Sequence, residues 1–106
     1  MSEATVIEVF ETPTFRNVFK KLLATDKVLV EEEIDKIIAD PDIGERKKGD
    51  LSYLWVYKFK LKNQQALLGY SWKEEQLQLY LMHLGVHENF YRDAKKHRSS
   101  DLKTIY

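Results

Sequence analysis

The chain has 106 residues, of which 43% are hydrophobic and 32% charged, with a formal net charge of zero and no cysteine. That length fits one domain with a modest core, so a single domain over residues 1–106 is expected. The lack of cysteine excludes a disulfide scaffold and a thiolate zinc site. No apolar run is long enough for a membrane span, and the opening MSEATVIEV lacks the basic-then-apolar form of a secretion signal, so the cytoplasm is the expected compartment and a membrane is not an expected partner.

Ala4 to Glu11 (ATVIEVFE) is rich in β-branched residues and predicts a first strand. Thr12 or Thr14 suits the cap of a helix whose first turn holds Pro13. Phe15, Val18, Phe19, Leu22 and Leu23 repeat at helical spacing and predict its buried face. A second helix is expected from Thr25, with Val28, Leu29, Ile34, Ile37 and Ile38 buried and Glu31, Glu32, Glu33 and Lys36 in water, ending at Asp40-Pro41. Residues 41–52 (PDIGERKKGDLS) predict a flexible polar connector. From Tyr53 the period changes to two: Tyr53, Trp55, Tyr57, Phe59 and Leu61 alternate with Leu54, Val56, Lys58 and Lys60. Two further strands, Gln65 to Trp72 and Gln76 to Val86, follow turns at residues 62–64 and 73–75. A helix is then expected over His87 to Arg98, with a frayed end at SSDLKTIY. The order is β-α-α-β-β-β-α, an α+β fold in which a helical hairpin covers one face of an antiparallel meander and leaves the other face partly open.

Neutrality conceals a segregated charge. Residues 1–43 hold five Lys/Arg against ten Asp/Glu, whereas residues 44–62 hold six against two. Lys58 and Lys60, two apart on a strand, project from one face. They are either solvated or set around an anion. Arg46, Lys47 and Lys48 adjoin a glycine and suit phosphate contact, although a charge run in a loop is commonly just solvated. His87 falls where a strand gives way to a helix, a position that favours anions and suits proton transfer near neutral pH as well as a plain surface histidine. Tyr91 lies one turn later, able to point the same way, while Phe90 and Ala94 pack inward. His83 and His87 fall on two different elements and suggest no third ligand, so no metal site is expected.

Two stretches, IGERKKGDLSYLWVYKFKL (Ile43 to Leu61) and LGVHENFYRDAKK (Leu84 to Lys96), carry a family resemblance. The sequence resembles the RelE/ParE superfamily of toxins from bacterial type II toxin–antitoxin systems, over nearly its whole length. Tyr57-Lys58-Phe59-Lys60-Leu61 resembles the Tyr-Lys-Ile-Lys-Leu run of RelE. Gly85-Val86-His87-Glu88 followed by Tyr91 is similar to the RelE stretch that carries an arginine and then a tyrosine. Ala66 stands about where RelE has a further arginine. The resemblance implies a RelE-like microbial ribonuclease fold and a ribosome-dependent mRNA endoribonuclease. The 2′-hydroxyl attacks the adjacent phosphate, without a metal or other cofactor. Carried over residue by residue, it implies Lys58 and Lys60 as base and charge stabiliser, His87 near the phosphate and Tyr91 against a base. Arg46, Lys47, Lys48 and Arg92 would contact RNA. It also implies a cognate antitoxin, the ribosome and mRNA as partners, with promoter DNA bound only through the antitoxin. A ParE-like inhibitor of DNA gyrase without nuclease activity is the alternative on the same fold.

Overall fold

A computed structural model describes residues 6–106, the side chains of His87 and Glu88 excepted. Its elements are β1 (Glu8–Glu11), α1 (Pro13–Lys20), α2 (Ala24–Ala39), β2 (Glu45–Arg46), β3 (Trp55–Leu61), β4 (Gln64–Lys73), β5 (Gln78–Val86), α3 (His87–Lys96) and α4 (Arg98–Ile105), with 3-10 turns at Gly49–Leu51 and Glu74–Gln76. The α+β architecture follows the expectation. The sheet order is β1-β5-β4-β3-β2. β3, β4 and β5 form the antiparallel meander and β1 runs parallel to β5. Ala4 and Thr5, the first residues of the expected strand, lie outside the described residues.

Thr12 starts the hairpin and ties it to the sheet. Its hydroxyl accepts from Phe15 N at 3.1 Å, capping α1, and donates to Met82 O at 2.7 Å. Pro13 follows in the first turn, where a missing amide costs nothing. Phe15, Val30 and Ile37 are fully buried and pack on Tyr70, Leu79 and Phe59. Burial of each large apolar side chain stabilises by roughly 1.5–3 kcal/mol. The buried stripe of α2 differs from the one expected. It runs Val30, Ile34, Ile37, Ile38, whereas Val28 and Leu29 are 54% and 38% exposed. Val18 is likewise exposed, and so is Leu23, because α1 ends at Lys20 before its stripe reaches that residue.

Three further expectations are corrected. The connector is not free: Glu45 and Arg46 pair with Val56 and Trp55 as a short edge strand, and Lys47 N donates to Leu54 O at 2.9 Å. The end of the chain is not frayed. The backbone bends at His97 but stays hydrogen-bonded on both sides, so that Asp101 and Ile105, four apart on α4, both reach the interior. The second face of the sheet is therefore largely closed, by α3, α4 and the 3-10 turn at Gly49–Leu51, over a core of Leu54, Val56, Leu67, Met82, Phe90 and Ala94.

Two tyrosines fasten the hairpin side. Tyr57 OH donates to Glu33 Oε1 at 2.7 Å, and Tyr70 OH donates to Pro41 O at 2.6 Å while accepting from Gly44 N. Burial is the main cause that pushes both phenols up to about 12. The Glu33 bond adds to it at Tyr57, and the nearby Asp42 and Asp40 charges add to it at Tyr70, against the Gly44 amide. A folded-state pKa above the unfolded value of about 10 gives stability that is complete below pH 10 and lost as pH rises towards 12. Chemical unfolding measured across that range is expected to show a steep fall. The fall should be shallower in the Tyr57→Phe and Tyr70→Phe variants.

Candidate functional site

Alternation along β3 sends Tyr57 and Phe59 to the hairpin side and Val56 to the α3 side, so Lys58 and Lys60 emerge on the α3 side. Both lysines are exposed. The register aligns Lys58 with Leu67 on β4 and Leu67 with Gly85 on β5, and aligns Lys60 with Gln65. Strand spacing puts the Lys58 and Gly85 backbones roughly 10 Å apart. Among the described side chains none lies within 4 Å of where a Gly85 side chain would begin, and these leave the sheet face open there. His87, two residues further, is the first residue of α3, and its side chain lies outside the described residues.

α3 sits close to the sheet because Gly69 lets it. A Cβ at Gly69 would fall 2.8 Å from Phe90 Cζ and 3.1 Å from Leu54 Cδ1. Phe90, 3% exposed, meets the edge of Tyr91 at a 5.2 Å centroid distance. Half-buried Tyr91 faces the basic run, with Lys47 Nζ 5.2 Å from its ring centroid. Lys47 is also bonded to Glu45 Oε1 at 2.5 Å. That carboxylate, followed by Tyr91, holds the Lys47 ammonium above the ordinary lysine value against the effect of burial. Lys47 therefore stays a cation and is a poor candidate for a base. Glu45 is held below the usual carboxylate range by Lys47, with a smaller share from Lys58. Glu45 thus links the Lys47–Tyr91 unit to the Lys58 side of the same face. Lys47, Lys48, Tyr91 and Lys95, together with Asp50 and Leu51, line a shallow pocket of about 190 Å³.

The expected RNA-contacting residues divide. Lys47 and Lys48 gather with Tyr91. Arg46 goes to the opposite face, its guanidinium 5.9 Å from the Trp55 ring centroid and its Nε donating to Ser52 O, because successive strand residues point opposite ways. Arg92 is bonded to Asn89 of its own helix and does not line the pocket. Lys95 was not singled out from the sequence, although it follows Tyr91 by four residues and so shares its helix face.

A second polar group was also missed. Asp101 Oδ2 accepts from Tyr53 OH at 2.8 Å and lies 2.6 Å from His83 Nε2. Tyr53, His83 and Asp101 are 8%, 3% and 3% exposed. His83 also meets the edge of Phe90. Closed to solvent, this group joins α4 to β5 and supports Phe90 beneath Tyr91. Burial above all, then the Asp101 bond, pushes the Tyr53 phenol well above its ordinary value. Among the described residues no group of three or more His, Cys, Asp or Glu side chains is placed to hold a metal, and no helix is long and apolar enough to cross a membrane.

Residues 9–95 match the family model described as a ParE-like toxin of the type II bacterial toxin–antitoxin system. The chain belongs to this toxin family. Among solved structures, the toxin is similar to a free-state mutant of E. coli RelE, with a TM-score of 0.65 and 18% identity over 96% of this chain and 100% of that one. It is also similar to a chain of the RelBE2 toxin–antitoxin complex from Mycobacterium tuberculosis, with a TM-score of 0.62 and 17% identity over 76% and 98% of the two chains. A YoeB/ParE toxin from Agrobacterium tumefaciens gives a TM-score of 0.62 and 15% identity over 76% and 99%. At these identities the likeness is one of fold. No curated protein sequence matches the toxin.

Proposed function

We propose that this toxin is a ribosome-dependent endoribonuclease that cleaves mRNA in the cytoplasm during translation and is neutralised by a cognate antitoxin. The observation that carries the reading is the placement of Lys58 and Lys60 on the part of the second sheet face that the helices leave open, with Lys58 in register with Gly85 near the start of α3 and the Lys47–Tyr91 unit on the same face. The chemistry requires a base to take the 2′-hydroxyl proton. The 2′-oxygen then bonds to the adjacent phosphorus, the bond from phosphorus to the 5′-oxygen breaks, and that oxygen gains a proton. The products are a 2′,3′-cyclic phosphate and a 5′-hydroxyl. Lys58 and Lys60 supply base and cation, His87 proton transfer at the phosphate, Tyr91 a surface for a nucleobase, and Lys47 and Lys48 contacts to flanking phosphates.

The test is primer extension on a reporter mRNA in a translating extract, with and without ribosomes. Discrete cuts at A-site codons that need ribosomes and vanish with His87→Ala support the reading. The ParE-like description of the matching family favours a second reading, inhibition of DNA gyrase on the same scaffold. Intact mRNA together with loss of supercoiling activity in a gyrase assay would select it.

A further inference from the structure

Lys58 and Lys60 stand on a stretch of strand held on one side only. β2 pairs with Trp55 and Val56, so from Tyr57 to Leu61 the ladder partner of β3 among the described residues is β4 alone. Such an edge opens more readily than a central strand. Here α2 fastens it from the hairpin side at two points. Tyr57 OH donates to Glu33 Oε1, and at the far end of the strand Lys62 Nζ lies 3.4 Å from Asp26 Oδ1. Glu33 and Asp26 are about two helical turns apart, so they project from one face of α2. Their side chains are sheltered, at 19% and 13% exposed. Burial opposes the Glu33 charge, but the Tyr57 and Lys36 bonds outweigh it and hold the carboxyl below its usual range, so it stays an acceptor. The two lysines of the candidate site fall between the two fastenings.

The Asp26 fastening carries a second mark. The turn from β3 to β4 is Lys62-Asn63, and Lys62 takes φ 60°. Glycine adopts that backbone at no steric cost in a two-residue hairpin turn. A lysine there adds strain, and what it supplies is a cation for Asp26, whose Oδ1 is shut from solvent and accepts no hydrogen bond among the described residues. We infer that Asp26 and Glu33 are positioning residues for the proposed cleavage, fixing the path of β3 from behind and with it the reach of Lys58 and Lys60. This rests on the nuclease reading of those lysines. Tyr57 points away from them, so the carboxylate it meets stays off the substrate. The effect falls on kcat: a base and a cation must meet the reacting oxygens, and a misplacement of about 1 Å costs up to ~100-fold. The Lys47–Tyr91 unit is held by Glu45 rather than by α2, so KM is spared.

The test uses the full-length toxin and mRNA on ribosomes with an open A site, with kcat and KM for cleavage measured beside the melting temperature. Lys62→Gly relaxes the turn and removes the ion pair, and Asp26→Ala removes it from the other side. Each is expected to lower kcat roughly tenfold with KM within about twofold of wild type. The two together should fall no further than either alone, as for one shared contact. Lys62→Gly should melt no lower than wild type, a result that a merely structural pair would not combine with a lost rate. Glu33→Ala should lower kcat likewise, whereas Glu33→Gln, which still accepts from Tyr57, should keep most of it. A loss confined to KM would overturn the inference. So would cleavage that needs Lys58 and Lys60 but proceeds at the wild-type rate in folded Lys62→Gly, Asp26→Ala and Glu33→Ala, and that outcome leaves the nuclease reading standing. If the wild-type toxin does not cut, or cuts as fast without both lysines, the nuclease reading fails and the positioning role fails with it.

Discussion

Replacing Asp101 with alanine is expected to cost about 3–5 kcal/mol, the usual effect of breaking a buried polar pair from one side, and to lower the melting temperature by roughly 15 °C. One carboxylate oxygen serves both Tyr53 OH and His83 Nε2, and all three side chains are buried. Alanine leaves the hydroxyl and the imidazole without their common partner, in a space that water does not reach freely. Asp101→Asn keeps an oxygen in place and should lose less than half as much. Since Asp101 belongs to α4, the loss should begin there. Amide exchange along Arg98–Ile105 is expected to accelerate more than exchange in β4. An unchanged melting temperature in Asp101→Ala would mean that the C-terminal helix contributes nothing to holding the sheet face closed.

The second large effect concerns activity. Lys58→Ala combined with Lys60→Ala should reduce ribosome-dependent mRNA cleavage by roughly 100–1,000-fold, the scale on which removal of transition-state charge stabilisation acts. Both side chains are exposed and neither takes part in a core, so stability should change by no more than about 0.5 kcal/mol. That contrast separates a chemical role from a structural one. Lys47→Ala should weaken substrate binding more than the rate of the bound complex, because Glu45 and Tyr91 already hold the Lys47 ammonium in place as a cation. A double lysine variant that cuts as fast as wild type would remove Lys58 and Lys60 from the mechanism.

Where the sequence has one strong period, it reads correctly. The alternation gives the β3 faces from Trp55 to Leu61, and with them the side on which Lys58 and Lys60 emerge; Tyr53, expected in the same run, precedes the strand and packs on the α3 side instead. The α2 stripe is ambiguous because apolar residues sit at 28, 29 and 30 in succession, so three phases of the helix fit. Packing against Tyr70 and Leu79 selects the phase that buries Val30. β2 is two residues long, too short for any period to register, and it is this pairing that sends Arg46 and Lys47 to opposite faces. α4 reads as polar because its buried face includes Asp101, whose burial depends on Tyr53 and His83, 48 and 18 residues away. No local pattern reports such partners. His83 lies within an apolar run, and its role becomes visible only when β5 and α4 are brought together.

The pairing of Thr12 with Leu81 and Met82 also sets the order of events when the chain is made. Its hydroxyl bond to Met82 spans 70 residues, and the parallel partner of β1 is the last strand. Non-local pairings of this kind close late, after the loop-entropy cost of joining distant segments has been met. During synthesis β1 and the hairpin emerge with no sheet to join, and the polar clasp from Asp101 to His83 waits for α4. The open face with its two lysines does not exist in final form until β5 and α4 have both joined the sheet. A chain cut short before α4 therefore lacks the support beneath Phe90 and Tyr91.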